Sequence, residues 1–461
     1  MFRNTSRRAI YEYKFGQPSL TKSFGRVVPG GAVAQPGKLS ETKLANGVRV
    51  VSHDLDGPHS AVAVYARAGP KYDPLSAPGL SYVLRFAIQT SNMENSLFQL
   101  DRTMRSTGSA YGHGEVAKEF LVWKAECRRD MWEKPFDMLA TSVVIPRFHE
   151  TDVERFRDTM DNQLEELRWQ QPREYVVDQL ETIAFYKEPL GSPRMVPPKV
   201  NDRCNQKALL DQWASLFHPK NITIAAVNVP HDALVAAYER LPYKHSAEAP
   251  HHARSTPSTV SSANEAAQFY PGRHAVEHES RAGVMGTKPD MDPEVIAAIG
   301  VVTNGREDVK KYAASLVARE VVSSALHPAT VPNYWGAQSF YRPYGTAGLI
   351  GYTIRCAPSK IESEISKAAA AFPATVDDAT VARGKSRAAL RVASEQLEQA
   401  RDYLDFISTS SHSAEELMGA INGVSKADID GVLKAVVGQK PAIFATGDSH
   451  TFPVVAALNK P

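Results

Sequence analysis

Two stretches half a chain apart, EFLVWKAECRRD at 119–130 and GLIGYTIRCAPS at 348–359, read as one structural segment written twice. Each alternates bulky apolar with smaller or polar residues, places a cysteine at the same point (Cys127 and Cys356), and leads into a helical pattern. A solenoid would repeat every ~20–50 residues. A repeat at half of 461 residues instead predicts two similar domains in tandem, each long enough for its own core.

The rest of the chain fits that division. Thr42–Leu55 reads as two short strands across an Asn46-Gly47 turn, followed by the alternating strand Ser60–Ala68. Leu80, Val83, Leu84, Ala87 and Ile88 line one face of a helix over Gly79–Thr90. A helix at Ser96–Thr107 and paired strands at Ser109–Gly114 and Glu119–Cys127 come next, then a helix to Val144 for which Asp130 offers an N-cap. Long amphipathic helices at Glu150–Arg168 and Pro172–Tyr186 break at Gln171-Pro172. A helix at Asn205–Phe217 and the strand Asn221–Val229 precede a last helix begun by His231.

The second half repeats the order: strands at Gly272–Ser280 and Val295–Thr303, a helix over Asp308–Ser324, strands at Tyr334–Tyr341 and Gly348–Cys356, helices to Val437, and the strand Pro441–Gly447. Asn304-Gly305 ends its strand much as Gly69 ends one in the first half. Strands mixed with consecutive helices predict α+β domains with mostly antiparallel sheets. The boundaries are a basic arm at 1–39, a first domain at 40–243, a linker rich in Ala, Ser, Thr, His and Pro at 244–268, and a second domain at 269–461.

Composition excludes several classes. A net charge of +2 gives no case for a nucleic-acid or polybasic membrane binder, and no apolar run approaches the ~18–20 residues that span a bilayer. Cys127, Cys204 and Cys356 are far apart with no CxxC pairing, so neither a disulfide framework nor a thiolate zinc site is expected. Within strand-like runs, Cys127 and Cys356 read as small buried hydrophobes. The arm carries Arg3, Arg7, Arg8, Lys14, Lys22, Arg26 and Lys38 against Glu12 alone, as an organellar transit peptide does; the plainer alternative is a basic tail.

One literal metal motif exists: His274, Glu277 and His278 form His-x-x-Glu-His. On a helix the two imidazoles would share a face and hold zinc, with the glutamate as general base. Here the motif falls on a strand, where Glu277 points away from both histidines.

The helix at Gly79-Leu-Ser-Tyr82-Val-Leu-Arg85-Phe86 resembles the Gly-x-x-His-x-x-Glu-His helix of the M16 (pitrilysin-type) metallopeptidases, which are built of duplicated α+β halves. Pro172–Met195, with Pro189-Leu190-Gly191, resembles the family's long helix and the segment after it. Carried over by position, Tyr82 replaces the first histidine, Arg85 the glutamate and Phe86 the second histidine. Phenylalanine has no lone pair, a phenol with pKa near ~10 is a poor zinc ligand, and arginine is a fixed cation. The third ligand falls at Gln163 or Leu164, with Glu165 and Glu166 close by. No catalytic residue, metal or cofactor is therefore expected.

Val83-Leu84-Arg85, the strand pair Ala337–Ile354 and the ending Gly438–Leu458, with Gly447, His450 and Thr451-Phe452-Pro453, resemble family members that support the respiratory complex passing electrons from ubiquinol to cytochrome c. That resemblance implies a structural subunit held to the matrix side of the mitochondrial inner membrane through its partners. Those partners would be a related paralogue, cytochrome b, cytochrome c1 and the Rieske subunit. The alternative is the non-catalytic α-subunit of a mitochondrial processing peptidase. Its glycine-rich loop is here SALHPATVPNYWGAQSF, with Gly336 alone. A third reading is an active zinc peptidase using His274 and His278.

Overall fold

A computed structural model describes residues 37–244, 268–278, 294–326, 336–373, 375–410 and 412–448. The arm up to residue 36, nearly all of the linker, residues 327–335 and the ending from residue 449 (with His450, Thr451, Phe452 and Pro453) lie outside the described residues.

The first sheet grows from a hairpin. β1 (Ser40–Lys43) pairs antiparallel with β2 (Arg49–His53). The turn between them uses Gly47 at φ 99°, a left-handed conformation that glycine adopts without a steric penalty, and Asn46 Oδ1 accepts the Val48 amide at 3.1 Å. With β3 (His59–Ala66), β4 (Ala110–Tyr111), β5 (Glu115–Val116), β6 (Leu121–Arg128) and β7 (Ile222–Val227), the order is β1-β2-β7-β3-β6-β4, and β5 also pairs with β6. The second sheet has β8 (His274–His278), β9 (Val295–Asn304), β10 (Gln338–Pro343), β11 (Ala347–Cys356) and β12 (Ala442–Gly447), in the order β10-β11-β9-β12-β8.

Leaving out β1, the second order read from its other end, β8-β12-β9-β11-β10, answers the first, β2-β7-β3-β6-β4. β2 runs parallel to β7 as β8 does to β12, and every other pairing in both sheets is antiparallel. Cys127 pairs with Ser60 near the start of β3, and Cys356 with Val295 at the start of β9; both cysteines are buried. Gly69 and Gly305 also correspond. A Cβ on Gly69 would sit 2.5 Å from the Ala117 carbonyl, and one on Gly305 2.3 Å from the Gly345 carbonyl, each just after the long central strand. The repeat in the sequence is thus a repeat in the backbone, and the α+β class with mostly antiparallel sheets is what forms.

The helices are α1 (Leu80–Thr90), α2 (Leu97–Ser106), α3 (Glu133–Val144), α4 (Glu150–Gln170), α5 (Pro172–Ala184), α6 (Gln206–Leu216) and α7 (His231–Arg240), then α8 (Val309–Leu326), α9 (Ile361–Ala370), α10 (Asp378–Val392), α11 (Ala400–Thr409), α12 (Ala414–Gly423) and α13 (Lys426–Val437). Ser96 caps α2 and Ser413 caps α12 in capping boxes, satisfying amides that a helix start leaves free. The expectation for Asp130 needs correcting. Its carboxylate is taken by the Arg128 guanidinium at 3.0 Å, and α3 begins later, after Trp132.

Alternation along the strands sends their side chains to two faces. In the first sheet Val62, Val64 and Ala66 meet α1 and α3, and Ala61, Ala63 and Tyr65 meet Leu404 and Ile407 of α11. In the second, Ile296 and Ala298 meet Val176 and Leu180 of α5, and Val295 and Ile299 meet Ile361 and Ile365 of α9. The halves therefore exchange helices: α5 of the first covers the second sheet, and α11 of the second covers the first. Ionic contacts reinforce the joint. Glu119 of the first half, which also takes Lys71 at 3.2 Å, pairs with Arg306 of the second, and Lys124 pairs with Asp405 of α11.

Candidate functional site

The stretch that carries the family resemblance is α1, and its start is held from both sides. Gly79 precedes it at φ 80°, and a Cβ there would lie 2.6 Å from the Val196 backbone. The Asp73 carboxyl accepts the Ser81 amide at 3.1 Å and a Gln212 amide at 3.2 Å. Leu80, Val83, Leu84, Ala87 and Ile88 face the core, which turns Tyr82, Arg85 and Phe86 toward α4.

There they meet Gln163, whose Oε1 accepts the Tyr82 hydroxyl at 2.7 Å. Of the residues near this position, Gln163 is the one that hydrogen-bonds to Tyr82, and Glu166 lines the same cleft. Glu165 pairs with Arg168 at 3.0 Å, and Glu166 accepts from Gln170 at 2.8 Å. The Arg85 guanidinium stacks 4.0 Å from the Tyr82 ring and 4.2 Å from the Phe86 ring, and donates to the Gly114 carbonyl at 3.2 Å. Phe86 stacks on Phe156 at 5.6 Å and leans on the His113 ring at 5.4 Å. A cleft of about 410 Å³ opens beside them, reaching Glu174, Asp178 and Arg194.

Tyr82, Arg85 and Phe86 offer a metal ion poor chemistry. Burial raises the Tyr82 phenol above its ordinary value, with Arg85 opposing, so it stays protonated at neutral pH. Arg85 puts a cation where a metal ion would need lone pairs. His113, which sequence reading missed, is held below its ordinary value by burial and by Arg85. It could serve as one ligand, but among the described residues no three His, Cys, Asp or Glu side chains gather to hold a metal ion. The only sequence signal for His113 is its setting between Gly112 and Gly114.

The literal motif lies elsewhere. His274–His278 is strand β8, at the end of the second sheet among the described residues. His274 is exposed, while Glu277 accepts from the Tyr175 hydroxyl at 2.9 Å and pairs with Arg168. The strand thus spends its glutamate on the joint between the halves. In the second half α8 occupies the place of α1. It carries no histidine, and its buried Glu320 pairs with Arg391 at 3.3 Å. No helix among the described residues is long and apolar enough to cross a membrane.

Residues 49–198 match the insulinase family, peptidase family M16. A ubiquinol–cytochrome c reductase complex core protein 2 from Euglena gracilis is 25% identical over 445 residues, covering 94% of this chain and 91% of that protein. Cytochrome b-c1 complex subunit 2 from Rattus norvegicus is 24% identical over 212 residues, or 46% of each chain. Mitochondrial-processing peptidase subunit alpha-2 from Dictyostelium discoideum is 22% identical over 456 residues, covering 91% of this chain and 94% of that protein. All three carry mitochondrial names, and two span both halves.

Proposed function

We propose that this chain, whose first domain belongs to peptidase family M16, is a catalytically silent core subunit of mitochondrial ubiquinol–cytochrome c reductase, the counterpart of core protein 2. The observation that carries this reading is the content of the α1 site. Tyr82, Arg85, Phe86 and Gln163 stand together where two histidines, a glutamate and a third ligand would have to converge. The loss is concerted: restoring any one ligand leaves the Arg85 cation or two missing lone pairs. What persists is the joined pair of α+β halves, a body suited to holding other subunits. The Euglena relative aligns along nearly its whole length with that body.

In this role the chain binds no cofactor. Electron transfer belongs to cytochrome b, cytochrome c1 and the Rieske subunit, and the chain pairs with a core protein 1-like paralogue at the matrix side of the inner membrane. The second reading, a non-catalytic α-subunit of a processing peptidase, is favoured by the Dictyostelium relative that also spans both halves. The lone Gly336 speaks against it, because a substrate-holding loop built on consecutive glycines has no counterpart here.

Affinity purification from mitochondria in mild detergent separates the two. Recovery of b- and c-type haem spectra with the chain supports the first reading; recovery of a soluble zinc peptidase without haem replaces it with the second. Metal analysis of the purified chain is the further check. Zinc well below one equivalent, unchanged by His274→Ala, is expected; stoichiometric zinc lost on that substitution would overturn both.

A further inference from the structure

The two halves differ in how they pack beneath their own helices. In the first, one continuous apolar cluster joins the sheet to α1, α3 and α6. In the second, the equivalent layer is split in two, with Val301, Ile350 and Val436 in one cluster and Ile299, Tyr352 and Ile365 in the other. Between them lies a half-open cavity of about 340 Å³, walled by Ile299, Ile350, Tyr352, Phe372 and Val436. Apolar walls that face a void lose their dispersion partners on one side, so such a gap favours an apolar guest.

The mouth of the cavity is polar. Gln439 donates its amide to the Val302 carbonyl at 3.0 Å and the Ala435 carbonyl at 3.1 Å. Those two bonds fix its orientation, leaving the buried Gln439 Oε1 with no hydrogen-bond partner among the described residues. Burial alone raises the Tyr352 phenol, with no charge or hydrogen bond entering. Lys440 is exposed beside Gln439 and has no carboxylate within ion-pair distance among the described residues; no acidic side chain lines the cavity.

We propose that this cavity binds a single-chain amphiphile, its apolar tail between the second sheet and the α9 and α13 helices and its anionic head on Lys440. The volume sits at the low end of the ~300–1,000 Å³ usual for ligand pockets, which suits one tail and not the two of a diacyl lipid. A hydroxyl or protonated acid near the head would also satisfy Gln439 Oε1. Apolar burial supplies the affinity, and the lone cation selects the head group.

The test titrates the full chain with laurate and, in parallel, with lauroyl lysophosphatidate, by calorimetry. Saturable binding at one site is expected for at least one of them, and the tighter of the two identifies the head. Lys440→Glu should weaken it at least tenfold while leaving lauryl alcohol unaffected. Ala369→Trp, which plugs the mouth from an exposed position on α9, should abolish binding of all three. Val437→Trp, exposed on the opposite wall, serves as a second plug should Ala369→Trp not fold. Failure of both anions to saturate, or binding indifferent to both Lys440→Glu and a folded plug, overturns the proposal.

Discussion

Helices α1 and α8 follow equivalent strands and equivalent glycines, yet their surroundings differ. α1 keeps one side turned to a cleft, where Arg85 is accommodated by two aromatic rings and the Gly114 carbonyl. α8 also borders a cleft, of about 720 Å³, but through its first turns, where Val309, Lys310, Lys311 and Ala314 line it with His412 and Glu416. Tyr312 through Ala318 are all buried, and α10, α12 and α13 press on it. Arg85 thus stands in the middle of α1, where the middle of α8 carries only buried, uncharged side chains. The fold therefore accepts this helix either with a half-buried cation or with an apolar middle.

The sharpest way to break this comparison is to exchange charge between the two. Val317 on α8 is fully buried, next to Gly384 of α10, whose added Cβ would lie 3.2 Å from a Val317 methyl. A guanidinium there would be forced into an apolar cluster, so Val317→Arg should cost about 4 kcal/mol or more and abolish a cooperative urea transition. The reciprocal change, Arg85→Met, removes a desolvated cation whose buried Nε lacks a partner. Replacing a poorly satisfied buried charge by an apolar group of similar volume is often neutral, so a shift within about 1 kcal/mol is expected. Equal costs for the two variants would show that the cleft gives α1 no special tolerance.

The helix starts offer a subtler contrast. Asp73 lies four residues after Gly69 and Asp308 three after Gly305, and each carboxyl accepts amides at the head of its helix. Asp73 is buried against Ser81 and Gln212, and that burial pushes it from 3.8 up to about 8, with the Ser81 hydrogen bonds opposing. The neutral acid can donate to the Ser81 hydroxyl, which then donates to the Ala68 carbonyl at 2.9 Å. A folded-state value above the unfolded one means that Asp73 contributes fully below about pH 4. The contribution drains away as pH rises through about 8. Asp73→Asn keeps both the acceptor and the donor while removing the titration. Urea unfolding measured between pH 4 and 9 should show the variant gaining on the parent with rising pH, by an amount on the order of 1 kcal/mol or more at pH 8. Parallel curves would mean that Asp73 is ionised in the folded chain.

How much of this could be read beforehand depends on the range of the interaction. The α1 face, the Asn46-Gly47 hairpin and the Ser96 cap are local patterns of spacing and turn chemistry, and they form where those patterns place them. The exchange of α5 and α11 was not legible. Val176 and Leu180 mark an apolar face on α5, but spacing cannot tell which sheet that face will cover. Asp130 failed as a cap because Arg128, two residues away, competes for the same oxygens. Tyr82, Arg85 and Phe86 could be singled out by their departures from the family's helix, but their neighbour Gln163 could be narrowed only to itself or Leu164, since one residue of slippage on α4 changes which side chain arrives. The buried state of Asp73 also depends on distant Gln212, which only the folded chain brings to it.

The smallest effect sharpens the same contrast from its other side. Asp308 is exposed, and the Lys311 and Lys310 amides at the start of α8 hold its carboxyl below the ordinary carboxylate range. The sign is therefore opposite to that of Asp73. Its contribution is present above the unfolded value and is lost as pH falls through the folded one. Asparagine caps a helix about as well as aspartate. Asp308→Asn should then leave the neutral-pH urea midpoint where it is and slightly flatten the acid limb below about pH 4, the limb that Asp73→Asn leaves alone. If Asp308→Asn instead shifted the alkaline limb, the two helix starts would share one electrostatic environment. The difference between an open α1 and a packed α8 would then not extend to their caps.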